Sequence, residues 1–296
     1  MTTETRALIA SLRTLHDDLA AFVVDLTPDQ LRERSYDTEW SVADVLSHLG
    51  SGSELTLLRL HAEREDSPTP EESAQVWAKW NARTPEQQAA EAMLVEEELV
   101  STLEGLDAGA LHVLQRDLAG FELDPNQALR LRVSEQAMHS WDILVMFDDK
   151  AVLPEAGVPG LLDVLPLTLR WAAQPHDDVV RVRVRTTEPE RDYVLELEPG
   201  STRLTSVDDS TDITRVESEL MLPAEALLRL AYGRLDPRHT PPYKASDTPC
   251  SSGCARSSAA SEHHITSYMY GVRRGSPRAG GAGSVRRRRA HRCSPA

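Results

Sequence analysis

Apolar residues recur every three or four positions through the first 150 residues, and this period constrains the fold of that region more than any other feature. In the first segment the recurring positions are Leu8, Leu12, Leu15, Leu19 and Phe22. A period near 3.6 places such side chains on one face of a helix. Residues 4–25 are therefore predicted to form an amphipathic helix.

Helix-start signals stand before the other long apolar-periodic segments. A capping residue is present at Ser41, Thr84 and Asp124, and a proline follows the last two. Their side-chain oxygens can accept hydrogen bonds from the free N–H groups of a first turn, and proline fits the first helical position. The last of these helices is expected to span 126–147. Four long helices joined by loops predict an antiparallel four-helix bundle over residues 1–150.

The periodicity changes after Asp149. Valine and arginine alternate strictly over 180–185, which is typical of a strand with one buried and one wet face. The three arginines of this strand are either a patch for an anion or an ordinary solvent-facing surface. The other predicted elements are helices over 159–173 and 223–232 and strands over 193–197 and 213–220. Residues 155–243 are thus predicted to form a small α+β domain.

The charge of the chain is divided unevenly. The first 243 residues contain 22 Lys and Arg against 45 acidic residues, whereas residues 244–296 contain ten against two, together with all three cysteines. An acidic body repels phosphates, so nucleic acid is not an expected partner. The segment 244–296 is predicted to be a disordered basic tail, and its abrupt change in composition also fits a shifted reading frame.

Two further expectations concern location. No run of about 18 apolar residues is present, so no membrane span is predicted. The N-terminal segment lacks the basic and apolar regions of a secretory signal, so the protein is expected in the cytoplasm. The sequence does not indicate an oligomeric state.

One predicted helix carries ionisable residues in an apolar setting. Glu135 and His139 are four residues apart and so share a face, which Asp142 extends, and His48 lies in an apolar segment of a second helix. Burying such groups is costly unless they are paired or bind a metal. Two interpretations follow. His48, Glu135 and His139 form an open three-ligand metal site, or Glu135 and His139 pair along their helix and His48 is an ordinary core histidine.

The histidines of two other positions do not join this set. His16 and His61 lie on amphipathic helices, and the rotation between positions 48 and 61 places His61 on a different helix face from His48. Both are expected at the surface.

Two segments carry a family resemblance. The stretch from Trp40 to Leu49, WSVADVLSHL, and the stretch from Glu135 to Asp142, EQAMHSWD, resemble the mycothiol-dependent maleylpyruvate isomerase family of the DinB-like four-helix-bundle superfamily. The resemblance covers residues 5–240 and includes a sterol-carrier-like C-terminal domain. It implies a divalent metal, usually zinc, bound by His48, Glu135 and His139.

The resemblance also implies an activity. Family members use mycothiol, the small thiol of actinobacteria, as isomerases or as thiol S-transferases, with zinc activating the thiolate for attack on an electrophilic small molecule. Residues 1–243 contain no cysteine of their own, which fits a thiol supplied from outside. Arg234 is expected near the substrate carboxylates.

The end of the chain departs from the family, because the tail replaces the usual apolar C-terminal segment.

The alternative function is that of a non-catalytic metal-binding bundle protein with a regulatory or binding role.

Overall fold

The computed structural model describes residues 1–239 except 38, 62–67, 108, 119–120, 173–178, 217 and 237. The predicted disordered tail, 244–296, lies outside the described residues. Within them the chain forms a helical N-terminal region followed by a small C-terminal sheet domain. No helix in this described part is long and apolar enough to cross a membrane.

The N-terminal region is built on four long helices that pack against one another. Thr27, Thr69, Thr84 and Asp124 each cap a helix through a reciprocal bond with the side chain three residues on, and proline follows each of them. These capping boxes satisfy the first-turn N–H groups that the helix itself leaves open. The helices are α1 (Thr3–Val23), α2 (Pro28–Arg32), α3 (Val42–His61), α4 (Pro70–Asn81), α5 (Pro85–Gly105) and α6 (Pro125–Leu144).

The C-terminal sheet has four strands in the order β5-β4-β3-β6, and an antiparallel pair of short strands, β1 and β2, lies between α5 and α6. Strand β3 pairs antiparallel with β4 and parallel with β6. Helix α7 packs against α6 and β5, and α8 packs against α7. The elements are β1 (Arg116–Leu118), β2 (Phe121–Leu123), α7 (Val158–Ala172), β3 (Val180–Thr187), β4 (Arg191–Glu198), β5 (Ser201–Ser206), β6 (Ser218–Pro223) and α8 (Ala224–Ala231).

The arginines of β3 are paired with acids on the neighbouring strands. Arg181 lies 3.1 Å from Glu196, and the Arg185 guanidinium lies 3.3 Å from Glu219. Arg183 forms a bidentate pair of hydrogen bonds with Asp192, at 3.0 and 2.5 Å. These cross-strand pairs favour the surface interpretation over an anion patch.

One predicted strand begins later than the sequence suggested. The segment expected as a strand over 213–220 starts at Ser218 instead. Asp212 Oδ1 accepts hydrogen bonds from the Thr214 backbone and hydroxyl, at 2.9 and 2.6 Å. Such Asx turns offer the backbone an alternative to strand pairing.

The larger hydrophobic cluster is continuous between the two regions. It includes Leu12 of α1 and Trp141 of α6 together with Val184 of β3 and Leu195 of β4. A second cluster, with Leu46 among its members, fills the other end of the helical region. The helices that carry the candidate site are therefore packed from both sides.

Candidate metal centre

Helix α3 is started by a reciprocal cap that fixes the position of His48. The Ser41 hydroxyl accepts from the Asp44 backbone N–H at 3.1 Å, and Asp44 accepts from the Ser41 backbone N–H at 2.9 Å. Val45 and Leu49 on this helix are fully buried. The helix is thus held against the core, with His48 on the side that meets α6.

Helix α6 supplies the other two predicted donors. It begins at the Asp124 cap, where the Gln127 N–H donates to the Asp124 carboxylate at 2.9 Å. Glu135 and His139 follow on one face, as their spacing predicts. Buried apolar side chains on both sides of this face, including Ala137 and Met138, leave the helix little freedom to rotate.

The structure brings the three predicted donors together. Nε2 of His48 lies 2.9 Å from Oε2 of Glu135, and Nε2 of His139 lies 3.7 Å from the same oxygen. One donor atom from each residue can be chosen so that all lie within 4.8 Å of one another. Two imidazole nitrogens and one carboxylate oxygen are the donor set of an open divalent metal site, so these residues fit such an ion.

The centre is open on one side. The Glu135 side chain is 51% exposed and that of His48 is 32% exposed, whereas that of His139 is 6% exposed. The Trp40 ring lies close to both imidazoles, with its centroid 5.1 Å from that of His48 and 6.0 Å from that of His139. A ligand could therefore reach the donors from the Glu135 side, beside an aromatic wall.

Electrostatics keep the Glu135 carboxylate ionised. Desolvation by the surrounding protein atoms favours the neutral acid, but the hydrogen bond with His48 and the attraction of His139 and Arg132 outweigh it. The pKa of Glu135 therefore lies well below its usual value. The carboxylate is available as a metal ligand over the physiological pH range.

Asp142 connects the centre to the C-terminal domain. Its carboxylate, which is 0% exposed, accepts from Nδ1 of His139 at 2.9 Å and from Nε and Nη2 of Arg234 at 2.7 and 2.6 Å. Burial raises the pKa of Asp142, but the Arg234 charge and these hydrogen bonds lower it to about 2. Sequence spacing places Asp142 on this face but gives no sign of its bond with Arg234, which lies 92 residues away.

Arg234 lies beside the centre, and part of its guanidinium is already engaged. Besides the two bonds to Asp142, Nη1 donates to the Tyr232 carbonyl at 3.0 Å. One N–H on each terminal nitrogen remains for another acceptor. A contact between Arg234 and a substrate carboxylate therefore stays a prediction.

His16 is buried, contrary to the expectation that it lies at the surface. It is 5% exposed and lies between two acids, with Nδ1 3.6 Å from Glu96 and Nε2 3.2 Å from Glu97. With Asp17 and Glu97 it forms a second group of possible donors. Arg13 already donates to both of these carboxylates, which offsets part of the charge that would attract a cation. His61 is exposed, as expected.

A family model matches the part of the chain that carries the three donors. Residues 12–144 match the model of the mycothiol maleylpyruvate isomerase N-terminal domain. This segment belongs to that domain family. The matched range contains His48, Glu135 and His139 and ends at the last residue of α6, so the resemblance drawn from the two sequence motifs is confirmed.

The similarity to solved structures extends beyond the region that the family model matches. One is the mycothiol-dependent maleylpyruvate isomerase, with 15% identity, a TM-score of 0.57 and coverage of 79% of this chain and 92% of that one. Another is a histidine-to-alanine mutant of the mycothiol-dependent maleylpyruvate isomerase, with 16% identity, a TM-score of 0.54 and the same coverage. The likeness shows a shared fold, with helices followed by a small sheet domain. A comparison with curated proteins finds no match.

Proposed function

We propose that this chain is a mycothiol-dependent metalloenzyme that acts on an electrophilic small molecule. The observation that carries the proposal is the convergence of His48, Glu135 and His139 at an open face of an isomerase N-terminal domain. The similar solved structures, which are of mycothiol-dependent maleylpyruvate isomerase, support the same class of activity.

Zinc is the metal that we propose for this donor set. Two histidines and one glutamate leave a fourth position open, as in catalytic zinc sites. When bound, zinc supplies a positive charge that lowers the pKa of a thiol and so provides a thiolate at neutral pH.

The residues of the chain give the site its other properties. Residues 1–243 contain no cysteine that could supply the attacking thiol, and mycothiol is the proposed cosubstrate. Trp40 covers one side of the two imidazoles, while the exposed side of Glu135 leaves room for the thiol. We propose that Arg234 contacts a substrate carboxylate through its remaining N–H groups.

The proposed isomerisation needs no net consumption of thiol. The mycothiol thiolate adds to the activated carbon–carbon double bond of a maleylpyruvate-like substrate and forms an enolate. The former double bond then rotates as a single bond, and elimination of the thiolate gives the trans isomer. With another electrophile, addition or displacement without elimination gives S-transfer.

The same proposal includes the finer architecture. Helices α1, α3, α5 and α6 would form a DinB-like four-helix bundle over residues 1–150, and residues 155–243 would form a sterol-carrier-like domain. The packing of the four helices against one another supports the first part. The position of α8 beside the sheet supports the second.

Metal stoichiometry tests the proposal first. We expect plasma mass spectrometry to find about one zinc per chain that is lost in His48→Ala and Glu135→Ala. His61→Ala is a matched control, because His61 lies on the same helix and its side chain is 57% exposed. Zinc held by the cysteines beyond residue 243 would remain in all variants, so the difference between variants is the decisive quantity.

Turnover then separates the enzyme from its alternative. We expect mycothiol-dependent isomerisation of maleylpyruvate, or thiol transfer to another electrophile, and at least a 100-fold loss in Glu135→Ala, on the order of the loss of a major catalytic interaction. Zinc binding without any mycothiol-dependent turnover would favour a non-catalytic metal-binding protein. A folded protein that binds no zinc after reconstitution would contradict the proposal.

A further inference from the structure

Asp142 is buried at a junction between the candidate metal centre and the C-terminal domain. Its carboxylate is fully shielded and takes hydrogen bonds from His139 on its own helix and from Arg234 near the end of the described chain. Its backbone carbonyl accepts from the Tyr36 N–H at 2.9 Å. The residue is therefore fixed through both its side chain and its backbone.

The bond with Asp142 determines which His139 nitrogen carries the proton. An ionised carboxylate only accepts hydrogen bonds, so Nδ1 of His139 has to be the donor across the 2.9 Å distance. A neutral imidazole then presents its lone pair at Nε2. This nitrogen is the one that lies 3.7 Å from Glu135, within the group of donor atoms.

The Arg234 guanidinium stabilises the Asp142 charge in this buried position. A buried carboxylate is costly without a partner, and a fork of two charge-assisted bonds compensates much of that cost. Arg234 is held in turn, because its Nη1 donates to the Tyr232 carbonyl and its backbone N–H donates to the Arg229 carbonyl at 2.7 Å.

Tyr232 anchors the same segment to α6. Its hydroxyl lies 3.0 Å from the Ser134 hydroxyl, next to Glu135, and 3.3 Å from that of Thr168 on α7. The segment that carries Arg234 is thus attached to the helix that carries two of the three donors.

We infer that Asp142 is a positioning residue that fixes the tautomer and orientation of His139, and that Arg234 holds Asp142 for this task. Metal affinity in the helical region then depends on a residue of the C-terminal domain. The part of this inference that concerns metal affinity rests on the proposed function. The part that concerns the tautomer does not, because the tautomer also exists in the metal-free protein. Metal-bound histidines commonly rely on a carboxylate partner of this kind.

The tautomer is measured on the metal-free protein. Long-range proton–nitrogen NMR of the histidine rings, recorded over a rising pH series until the His139 signals stop changing, reports which nitrogen of the neutral ring is protonated. We expect the Nδ1–H form of His139 to dominate in the wild type and this preference to be lost in Asp142→Asn. An Nε2–H form in the wild type would overturn the inference, whether or not zinc binds.

Zinc affinity is measured by competition with a chromophoric chelator on the full chain. We expect about 10–100-fold weaker binding in Asp142→Asn and in Arg234→Gln. The Arg234→Lys variant keeps the positive charge but not the two parallel hydrogen bonds. Its zinc affinity should therefore lie between those of these variants and the wild type. Asp192→Asn is the matched control, because Asp192 accepts a similar arginine fork on the sheet and should leave the affinity unchanged.

Folding is checked by near-UV circular dichroism. If Asp142→Asn does not fold, Arg234→Gln and Arg234→Lys still decide the question. Affinities within twofold of the wild type in folded variants would contradict the inference. Absence of zinc binding in every protein, with the Nδ1–H form intact, would instead contradict only the proposed function.

Discussion

Gly50, a single residue on α3, allows a tryptophan to pack directly on the helix that carries His48. A Cβ atom at this position would overlap with the six-membered ring of Trp80, with its Cζ2 only 2.9 Å away. Trp80 is fully buried, and its indole N–H donates to Glu54 at 2.7 Å. The absence of a side chain at Gly50 therefore sets the separation between α3 and α4.

We expect Gly50→Ala to lower the free energy of unfolding by about 1–3 kcal/mol, since overpacking forces the ring or the helix to move. Chemical denaturation followed by fluorescence measures the change. Gly105→Ala is the control, because a Cβ there meets nothing within 4 Å, so the stability should change by less than about 0.5 kcal/mol. Equal effects of the two substitutions would contradict this account.

Among the elements, α1 and α5 are joined by a charged cluster around Arg13. Its guanidinium donates to Glu97 at 2.5 Å, to both oxygens of Glu104 at 3.0 Å, and to Ser101 at 3.2 Å. The hydrogen bonds from Arg13 and Ser101 lower the pKa of Glu97 from 4.5 to about 2. This carboxylate therefore stays ionised in the folded protein under mildly acidic conditions.

Stability should follow the titration of Glu97. Because its pKa is lower in the folded state, its contribution is fully present above about pH 5 and is lost as the pH falls towards 2. The side chain is 48% exposed, so we expect a contribution below about 1 kcal/mol. Glu97→Gln should flatten the acid limb of thermal unfolding measured at several pH values, whereas the exposed neighbour Glu98→Gln should not. An unchanged acid limb in Glu97→Gln would refute the assignment.

Strand β5 depends on one buried side chain. Leu204 is 4% exposed, whereas the flanking Arg203 and Thr205 are exposed. We expect Leu204→Ala to cost about 2–4 kcal/mol of unfolding free energy, because it leaves a cavity beneath an edge strand. Thr205→Ala should change the stability by less than about 0.5 kcal/mol. Urea unfolding of the two variants measures these changes, and similar unfolding midpoints would contradict the prediction.

The sequence predicts the elements that have a strong period or a strong cap. The long helices and β3 belong to this group, and their observed bounds agree within a few residues. Strand β5 was not predicted, because one apolar residue in six gives no alternation. Helix α4 was also missed, although Thr69 and Pro70 provide the same starting signal as Thr84 and Pro85.

The site could be predicted only in part, for a related reason. Glu135 and His139 share a face through local helix geometry, so their spacing is visible in the sequence. The bond of Asp142 with Arg234 and the 3.6 Å approach of His16 to Glu96 depend on tertiary packing between distant segments. No local pattern encodes such contacts.

At the scale of the whole molecule, the helical region and the sheet share one hydrophobic cluster. Leu161 and Leu165 of α7 belong to it together with Val133 of α6 and Leu220 of β6. Because neither region can separate without exposing this cluster, we expect both to unfold in one cooperative transition. Calorimetry should then give equal calorimetric and van't Hoff enthalpies. Two resolved transitions would show instead that the sheet domain is stable independently.

The bond between Asp142 and Arg234 also has a consequence during synthesis. A ribosome adds roughly 5–20 residues per second, so the 92 residues that separate the two partners take about 5–20 s to make. His48, Glu135 and His139 all emerge before the arginine does. For that interval the nascent chain carries every proposed metal donor, while Asp142 lacks the cation that accompanies its burial. The centre is therefore completed by one of the last residues of the described chain to be translated.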